Sequence, residues 1–98
     1  MPSKSKAKGN GYEREIVDIL HKHGFNAVRA WGSNGKSLGE SETTDIKADF
    51  GNIQAKRRAR IPEWVKPPTD CVFTVTREDR GDNYAIVRLD WLLELLKK

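Results

Sequence analysis

The chain is poor in cysteine, histidine and long apolar runs, and these shortages exclude several classes of protein. Among 98 residues one is cysteine and two are histidine, which excludes an internal disulfide and makes a Cys/His zinc site a poor interpretation. No stretch approaches the roughly 18 apolar residues of a membrane span, and the charged N-terminus has no apolar core like that of a secretory signal. We therefore expect a cytoplasmic protein, including the inside of an infected cell if it is virus-encoded, with no membrane contact and no small-molecule cofactor.

Positive charge is in moderate excess and is unevenly distributed. Lysine and arginine number 18 against 14 acidic residues, a balance that permits nucleic-acid binding without requiring it. One group of lysines lies in residues 1–9, which contain almost nothing apolar and are expected to form a flexible basic arm; residues 10–98 are expected to form a single domain. A second cluster follows further on: Lys56, Arg57, Arg58 and Arg60. Either cluster alone is consistent with a solvated surface, but together they favour a phosphate-bearing partner.

The apolar pattern predicts a small α/β fold, a mixed β-sheet flanked by helices. An amphipathic helix is expected over residues 11–23, with Gly24 as its stop signal, and a second helix is expected after Asp90. A polar loop with three glycines over 32–44 has a length usually associated with function. Short strands are predicted over residues 25–31, 45–50, 52–57, 71–76 and 84–88. A tight turn at Gly51-Asn52 is predicted to join the second and third of them.

The second and third predicted strands bring polar groups together. Strand side chains alternate between faces, so Gln54 and Lys56 emerge together and Asp45 can meet them. Mg²⁺, for which Mn²⁺ is expected to substitute, prefers oxygen ligands, and the Asp45 carboxylate, the Gln54 amide oxygen and the Ala55 backbone carbonyl supply them. Lys56 would orient or deprotonate the metal-activated water and stabilise phosphate charge. The alternative is that Asp45 merely closes the polar loop and Lys56 begins a solvated basic patch.

Glu13 favours the metal interpretation. It shares a helical stripe with Ile16, Val17 and Leu20, and an acid on a core-facing stripe is costly unless it is paired or binds a metal. The competing explanation places Glu13 near the N-terminal end of the helix, where the helix dipole favours a carboxylate.

Two stretches resemble the archaeal and phage Holliday-junction resolvases of the PD-(D/E)XK nuclease superfamily. They are KGNGYEREIV at residues 8–17 and GFNAVRA at residues 24–30, the latter followed by Gly32-Ser33. The likeness runs from about residue 8 to residue 58, and the closing segments 77–80 and 89–96 are similar to those of small phage-type members.

The resemblance implies a restriction-endonuclease-like fold and a homodimer that cuts four-way DNA junctions. It implies that Glu13, Asp45 and Lys56 are catalytic, with Gln54 in the acid position of the (D/E)XK element. It also implies that Arg14 and Arg29 contact DNA phosphates and that Ser33 lies in the active-site loop. With the basic residues near these positions, the predicted DNA-binding set is Lys8, Arg14, Arg29, Ser33, Lys36, Arg57, Arg58 and Arg60.

Gln54 is the departure from the resolvase pattern. A neutral amide leaves the site one carboxylate short, which should weaken Mg²⁺ binding unless Glu40, Glu42 or Asp49 compensates. Two other functions therefore stay open: a non-catalytic, structure-selective DNA-binding module on the same fold, and a related nuclease acting on duplex, flap or single-stranded DNA. Trp31 is the aromatic residue expected to touch nucleic acid, whereas Trp64 and Trp91 are expected in a core or an interface.

Overall fold

The structure is a computed structural model that describes residues 4–30 and 44–97, with side chains described from residue 11 onward. The chain forms two compact units, Met1–Arg57 and Arg58–Lys98; the single domain over residues 10–98 stays a prediction. Two helices and two antiparallel sheets confirm the α/β class and are consistent with a restriction-endonuclease-like fold. No helix within the described ranges is long and apolar enough to cross a membrane.

The first helix, α1, spans Lys4–Lys22 and begins earlier than the predicted start at residue 11. Its first turns, which composition assigned to a basic arm, contain three lysines and one alanine, residues that favour helix. The predicted apolar stripe is confirmed, because Glu13, Ile16 and Leu20 are all buried. This stripe belongs to the helix that packs against the first strand, β1 (Ala27–Arg29).

The end of α1 is set by Gly24, as predicted. The amide of Phe25 donates to Leu20 O at 3.0 Å and that of Gly24 donates to His21 O at 2.9 Å, which is the Schellman pattern. Gly24 has φ +88°, a left-handed conformation that costs a side-chain-bearing residue roughly 1–2 kcal/mol. The His21 ring, bonded to Ala27 O at 3.0 Å, then holds the helix end beside the start of β1.

Two glycine substitutions separate backbone conformation from packing in α1. A Cβ at either Gly11 or Gly24 would meet nothing within 4 Å, so only the backbone distinguishes the two positions. We expect Gly24→Ala to lower the free energy of unfolding by about 1–2 kcal/mol, and Gly11→Ala, in the helix interior, to raise it by about 0.5–1 kcal/mol. Urea denaturation followed by circular dichroism measures both free energies. A change of the same sign in the two variants would contradict the observed helix ends.

The first sheet is antiparallel, in the order β1–β2–β3. Strand β2 spans Ile46–Ala48 and β3 spans Gly51–Ile53, with Ile46 opposite Ile53. The turn falls at residues 49 and 50, so the predicted turn at Gly51-Asn52 is wrong. The reason is tertiary: Asp49 and Asn26 exchange two hydrogen bonds, and the Phe25 and Phe50 rings pack edge to face at 5.3 Å.

The second unit contains a second antiparallel pair, β4 (Phe73–Thr76) and β5 (Tyr84–Val87), followed by α2 (Leu89–Leu96). The described strands form two antiparallel sheets where the sequence predicted one mixed sheet. The β2–β3 and β4–β5 connections are too short for the crossover that a parallel pair needs. The Arg88 guanidinium joins β5 and α2 to the preceding loop through the carbonyls of Pro67, Pro68 and Cys71.

Candidate active site

Asp45 lies immediately before β2, at the end of the first sheet. Its backbone is held by both neighbours, since Ala30 N donates to Asp45 O at 2.8 Å and Asp45 N donates to Ile53 O at 3.0 Å. Its carboxylate is also held, because Ala55 N donates to Asp45 Oδ2 at 2.8 Å. One carboxylate oxygen thus bonds the backbone of the chain leaving β3, and Asp45 is positioned by three hydrogen bonds within the unit.

The element that carries Gln54 and Lys56 differs from the predicted strand. Regular pairing ends at Ile53, so residues 54–56 are extended chain beyond β3 rather than part of a longer strand. Their alternation nevertheless persists: Ile53 and Ala55 are half-buried, whereas Gln54 and Lys56 are exposed. Strands β2 and β3 are neighbours, as the sequence predicted, and the Asp45–Ala55 hydrogen bond adds a side-chain contact between Asp45 and this segment.

Helix and strand lengths indicate that Glu13 lies at the same end of the unit as Asp45. The connection after α1 returns the chain along the helix, because Phe25 bonds Leu20 and His21 bonds Ala27. From Leu20 back to Glu13 the helix rises about 10 Å, and three strand residues from Ala27 to Ala30 also advance about 10 Å. From these lengths we expect Glu13 to lie near the level of Ala30, the residue whose amide bonds Asp45 O.

The helix-dipole explanation for Glu13 does not hold. Because α1 begins at Lys4, Glu13 lies about two and a half turns from the helix start, whereas dipole stabilisation fades within the first turn. Glu13 is only 3% exposed and has an interaction partner. A buried carboxylate in mid-helix is costly, so its position favours a role in a polar site.

These donors suit a hard divalent cation. Two carboxylates, an amide oxygen and a backbone carbonyl are all oxygen ligands of the kind that Mg²⁺ and Mn²⁺ bind. Among the described residues no three side chains of His, Cys, Asp or Glu come together as a metal site. The predicted set contains only two such side chains, Glu13 and Asp45, and relies on Gln54 and the Ala55 carbonyl for the remainder.

A comparison with known protein families identifies the group to which these residues belong. The archaeal Holliday junction resolvase family (Hjc) matches residues 4–60 of the chain, which is more than half of its length and includes α1 and the whole first sheet. The chain belongs to this resolvase family. Neither the curated proteins nor the solved structures contain a significant match.

Family membership makes the chain a nuclease of the Holliday-junction-resolving type, and the matched region contains all eight predicted DNA-binding residues. Arg14, Arg57, Arg58 and Arg60 are exposed. Arg29, on β1, is half-buried and has an interaction partner. The Lys8 side chain and residues Trp31, Ser33, Lys36, Glu40 and Glu42 lie outside the part of the chain that the structure describes.

Asp49 is badly placed to compensate for Gln54. It lies in the β2–β3 turn, whereas Asp45 precedes β2 at the other end, and four strand residues span about 13 Å. Its Oδ2 already accepts a 2.7 Å hydrogen bond from Asn26 N. We therefore assign Asp49 to holding the turn, which corrects its nomination as a spare metal ligand in this resolvase.

Sequence reasoning missed Thr44, which is 5% exposed and adjoins Asp45. Strand periodicity could have found it, because positions 44, 46 and 48 point to the same face of the strand. Ile46 and Ala48 are apolar, which predicts that this face is buried. Thr44 also has an interaction partner. A buried threonine held in this way restricts the backbone that carries the Asp45 carboxylate.

Proposed function

We propose that this chain is a metal-dependent endodeoxyribonuclease of the PD-(D/E)XK type that cuts four-way DNA junctions as a homodimer in the cytoplasm. The observation that carries the proposal is the Asp45 carboxylate, held at 2.8 Å by the amide of Ala55 in a member of the resolvase family. The same hydrogen bond brings the carboxylate to the segment that contains Gln54 and Lys56.

Each residue has a distinct role in this proposal. Glu13, Asp45, Gln54 and the Ala55 carbonyl would hold Mg²⁺ or Mn²⁺. A bound divalent cation supplies Lewis acidity, which makes water a stronger acid and offsets the negative charge on a phosphodiester. Burial of Glu13 reduces its exposure to competing water, and the amide of Ala55 limits the rotation of Asp45.

Lys56 is proposed to act on the reacting groups. It lies two residues beyond Gln54 on the same exposed side of the extended segment, so both side chains reach a DNA strand from one direction. An ammonium there orients the attacking water and stabilises the negative charge that develops on the phosphate oxygens. Hydrolysis then forms one P–O bond to the water oxygen and breaks one P–O bond to the sugar.

We infer a homodimer from the reaction and from the number of catalytic sites in each chain. Resolving a four-way junction requires two strand cuts, and each chain offers one Asp45-centred set of ligands. Two copies related by a two-fold axis would present two such sets to opposite strands. The exposed arginines Arg14, Arg57, Arg58 and Arg60 would bind the phosphates of the arms, with Arg29, Lys8, Ser33 and Lys36 as further proposed contacts.

A comparison of branched and linear DNA tests this proposal. A labelled four-way junction and a linear duplex of the same sequence are incubated with the protein in Mg²⁺, in Mn²⁺ and in chelator. We expect paired cuts near the branch in either metal, no cuts in chelator, and little cutting of the duplex. Equal cutting of duplex and junction would contradict branch selectivity.

Binding of the junction without cutting in either metal would instead support the non-catalytic DNA-binding alternative. The observation that favours this alternative is the neutral side chain at Gln54. Sedimentation of the protein in the same buffers measures the oligomeric state, and a monomer that makes paired cuts would contradict the homodimer.

A further inference from the structure

We propose that residues 58–66 form a DNA-binding platform on which Trp64 stacks with an unpaired base. This inference rests on the proposed function for its substrate class, DNA with exposed bases at a branch. It concerns a part of the chain beyond the catalytic set, and Trp64 also lies beyond the matched residues 4–60. We call residues 58–66 the Trp64 segment.

Trp64 is the most exposed of the large apolar side chains in the described part of the chain. It is 67% exposed, whereas its large area and apolar character predict a core or interface position, as the sequence had suggested. An indole exposed to water leaves a large apolar surface hydrated, which costs free energy. It can instead stack with a nucleobase, since each nucleobase has a flat π-face. Ten other large apolar side chains in the described part of the chain are also exposed, so the partner of Trp64 is inferred from the charge of the residues around it in the chain.

The segment around Trp64 is conformationally restricted. Trp64 is the middle residue of a one-turn 3₁₀ helix, Glu63–Val65, closed by hydrogen bonds from Val65 N to Pro62 O and from Lys66 N to Glu63 O, both 3.1 Å. Prolines precede and follow this turn, at position 62 and at positions 67 and 68. A restricted backbone loses less entropy when the indole stacks.

Charge decides in favour of DNA as the partner. Residues of the Trp64 segment line a surface cleft, among them three cationic residues, Arg58, Arg60 and Lys66, and one carboxylate, Glu63. Trp64 is not itself a lining residue, and it follows Glu63 directly in the chain. Lys66 Nζ contacts Glu63 Oε1 at 2.7 Å, which leaves the two arginines as the excess positive charge of the cleft. Adjacent guanidinium groups bind phosphate oxygens, and a cationic groove beside an aromatic side chain is the usual arrangement for single-stranded nucleic acid.

The chemical class of the ligand is thus a short run of DNA phosphates with one unstacked base. Four-way junctions offer unpaired or easily unstacked bases at the branch, whereas an intact linear duplex does not. The platform would therefore add affinity for branched and single-stranded DNA over duplex, a selectivity that phosphate contacts alone do not provide.

Equilibrium binding in chelator, where no cutting is expected, tests the inference with the full chain. The probes are a four-way junction, a matched linear duplex and a single strand. We expect Trp64→Ala to weaken binding to the junction and the single strand about tenfold, with duplex binding nearly unchanged, and Trp64→Phe to retain most of the affinity because phenylalanine still stacks. Because the indole is uncharged, the salt dependence of binding should not change.

Charge variants of the same segment give the opposite pattern. Arg58→Gln or Arg60→Gln should weaken binding to all three probes and reduce the slope of log K against log salt by about 1. Glu63→Gln should tighten binding to all three, because it removes the carboxylate that pairs with Lys66. A 2-aminopurine base at the branch gives a direct readout: stacking on Trp64 quenches its fluorescence, and Trp64→Ala restores it.

Three results would overturn the platform. The first is unchanged binding by Trp64→Ala, and the second is an equal loss for all three probes. The third is conversion of a dimer to a monomer by Trp64→Ala, which would make Trp64 a subunit contact. Junction cutting together with unchanged Trp64→Ala binding refutes only the platform; single-strand binding through Trp64 without cutting refutes only the nuclease.

Discussion

Asp45→Asn is expected to abolish junction cleavage while preserving the fold and DNA binding. The amide oxygen of asparagine can still accept the hydrogen bond from Ala55 N that Asp45 Oδ2 accepts at 2.8 Å, so the local backbone should persist. The variant nevertheless loses an anionic ligand, and with it several kcal/mol of stabilisation in the transition state, or at least about 1,000-fold in rate. Single-turnover cleavage of a labelled junction measures the effect.

The same substitution at Asp49 is the matched control. Asp49→Asn removes an equal charge from the same hairpin and also preserves an acceptor for Asn26 N, but it lies at the far end of β2. Its cleavage rate should stay close to that of the parent. Comparable losses in the two variants would mean that overall charge or hairpin stability, and not a ligand at position 45, controls the reaction.

Gln54→Glu is expected to lower the Mg²⁺ concentration needed for half-maximal cleavage by about tenfold. Replacing a neutral amide oxygen with a carboxylate adds ligand charge, which increases the affinity of a site for a hard cation; tenfold corresponds to about 1.4 kcal/mol. The exposed position of Gln54 means that glutamate can be accommodated without repacking. A titration of cleavage rate against Mg²⁺ concentration provides the measurement.

The control for this variant adds the same charge elsewhere. Asn83→Asp changes an exposed residue before β5, in the second unit, and should leave the Mg²⁺ dependence unchanged. An unaltered Mg²⁺ dependence in Gln54→Glu would show that position 54 is not a ligand, whereas a shift in both variants would point to a general electrostatic effect.

Local patterns predicted the parts of the fold that local physics determines. The buried stripe of α1 and its stop at Gly24 follow from helical spacing and from the left-handed backbone that glycine tolerates. The exposed Gln54 and Lys56 follow from strand periodicity. Each of these features depends on residues close together in the sequence, which is why it could be inferred without a structure.

The errors arose where distant residues decide. The β2–β3 turn lies at residues 49 and 50 because Asn26 and Phe25 hold Asp49 and Phe50, contacts that span more than twenty positions. Strands β2 and β3 are paired neighbours as predicted, but regular pairing ends at Ile53, where the sequence had predicted a strand through residue 57.

The interpretation of Glu13 is the one that the structure changed most. Sequence spacing placed Glu13 on the buried stripe and favoured a metal role, but left the N-terminal helix dipole as a competing explanation. The start of α1 at Lys4 puts Glu13 in mid-helix, and this removes the competing explanation through a feature that apolar periodicity does not reveal.

The location of the metal is the central claim, and paramagnetic broadening by Mn²⁺ tests it without any need for activity. Backbone amide signals of isotope-labelled protein are recorded by NMR as Mn²⁺ is added in small amounts. We predict that the amides of Glu13, Asp45 and residues 54–56 broaden first, that Asp49 is affected later, and that Asp45→Asn removes the early broadening. Early broadening centred on Asp49 or on the second unit, or identical broadening in Asp45→Asn, would contradict the account.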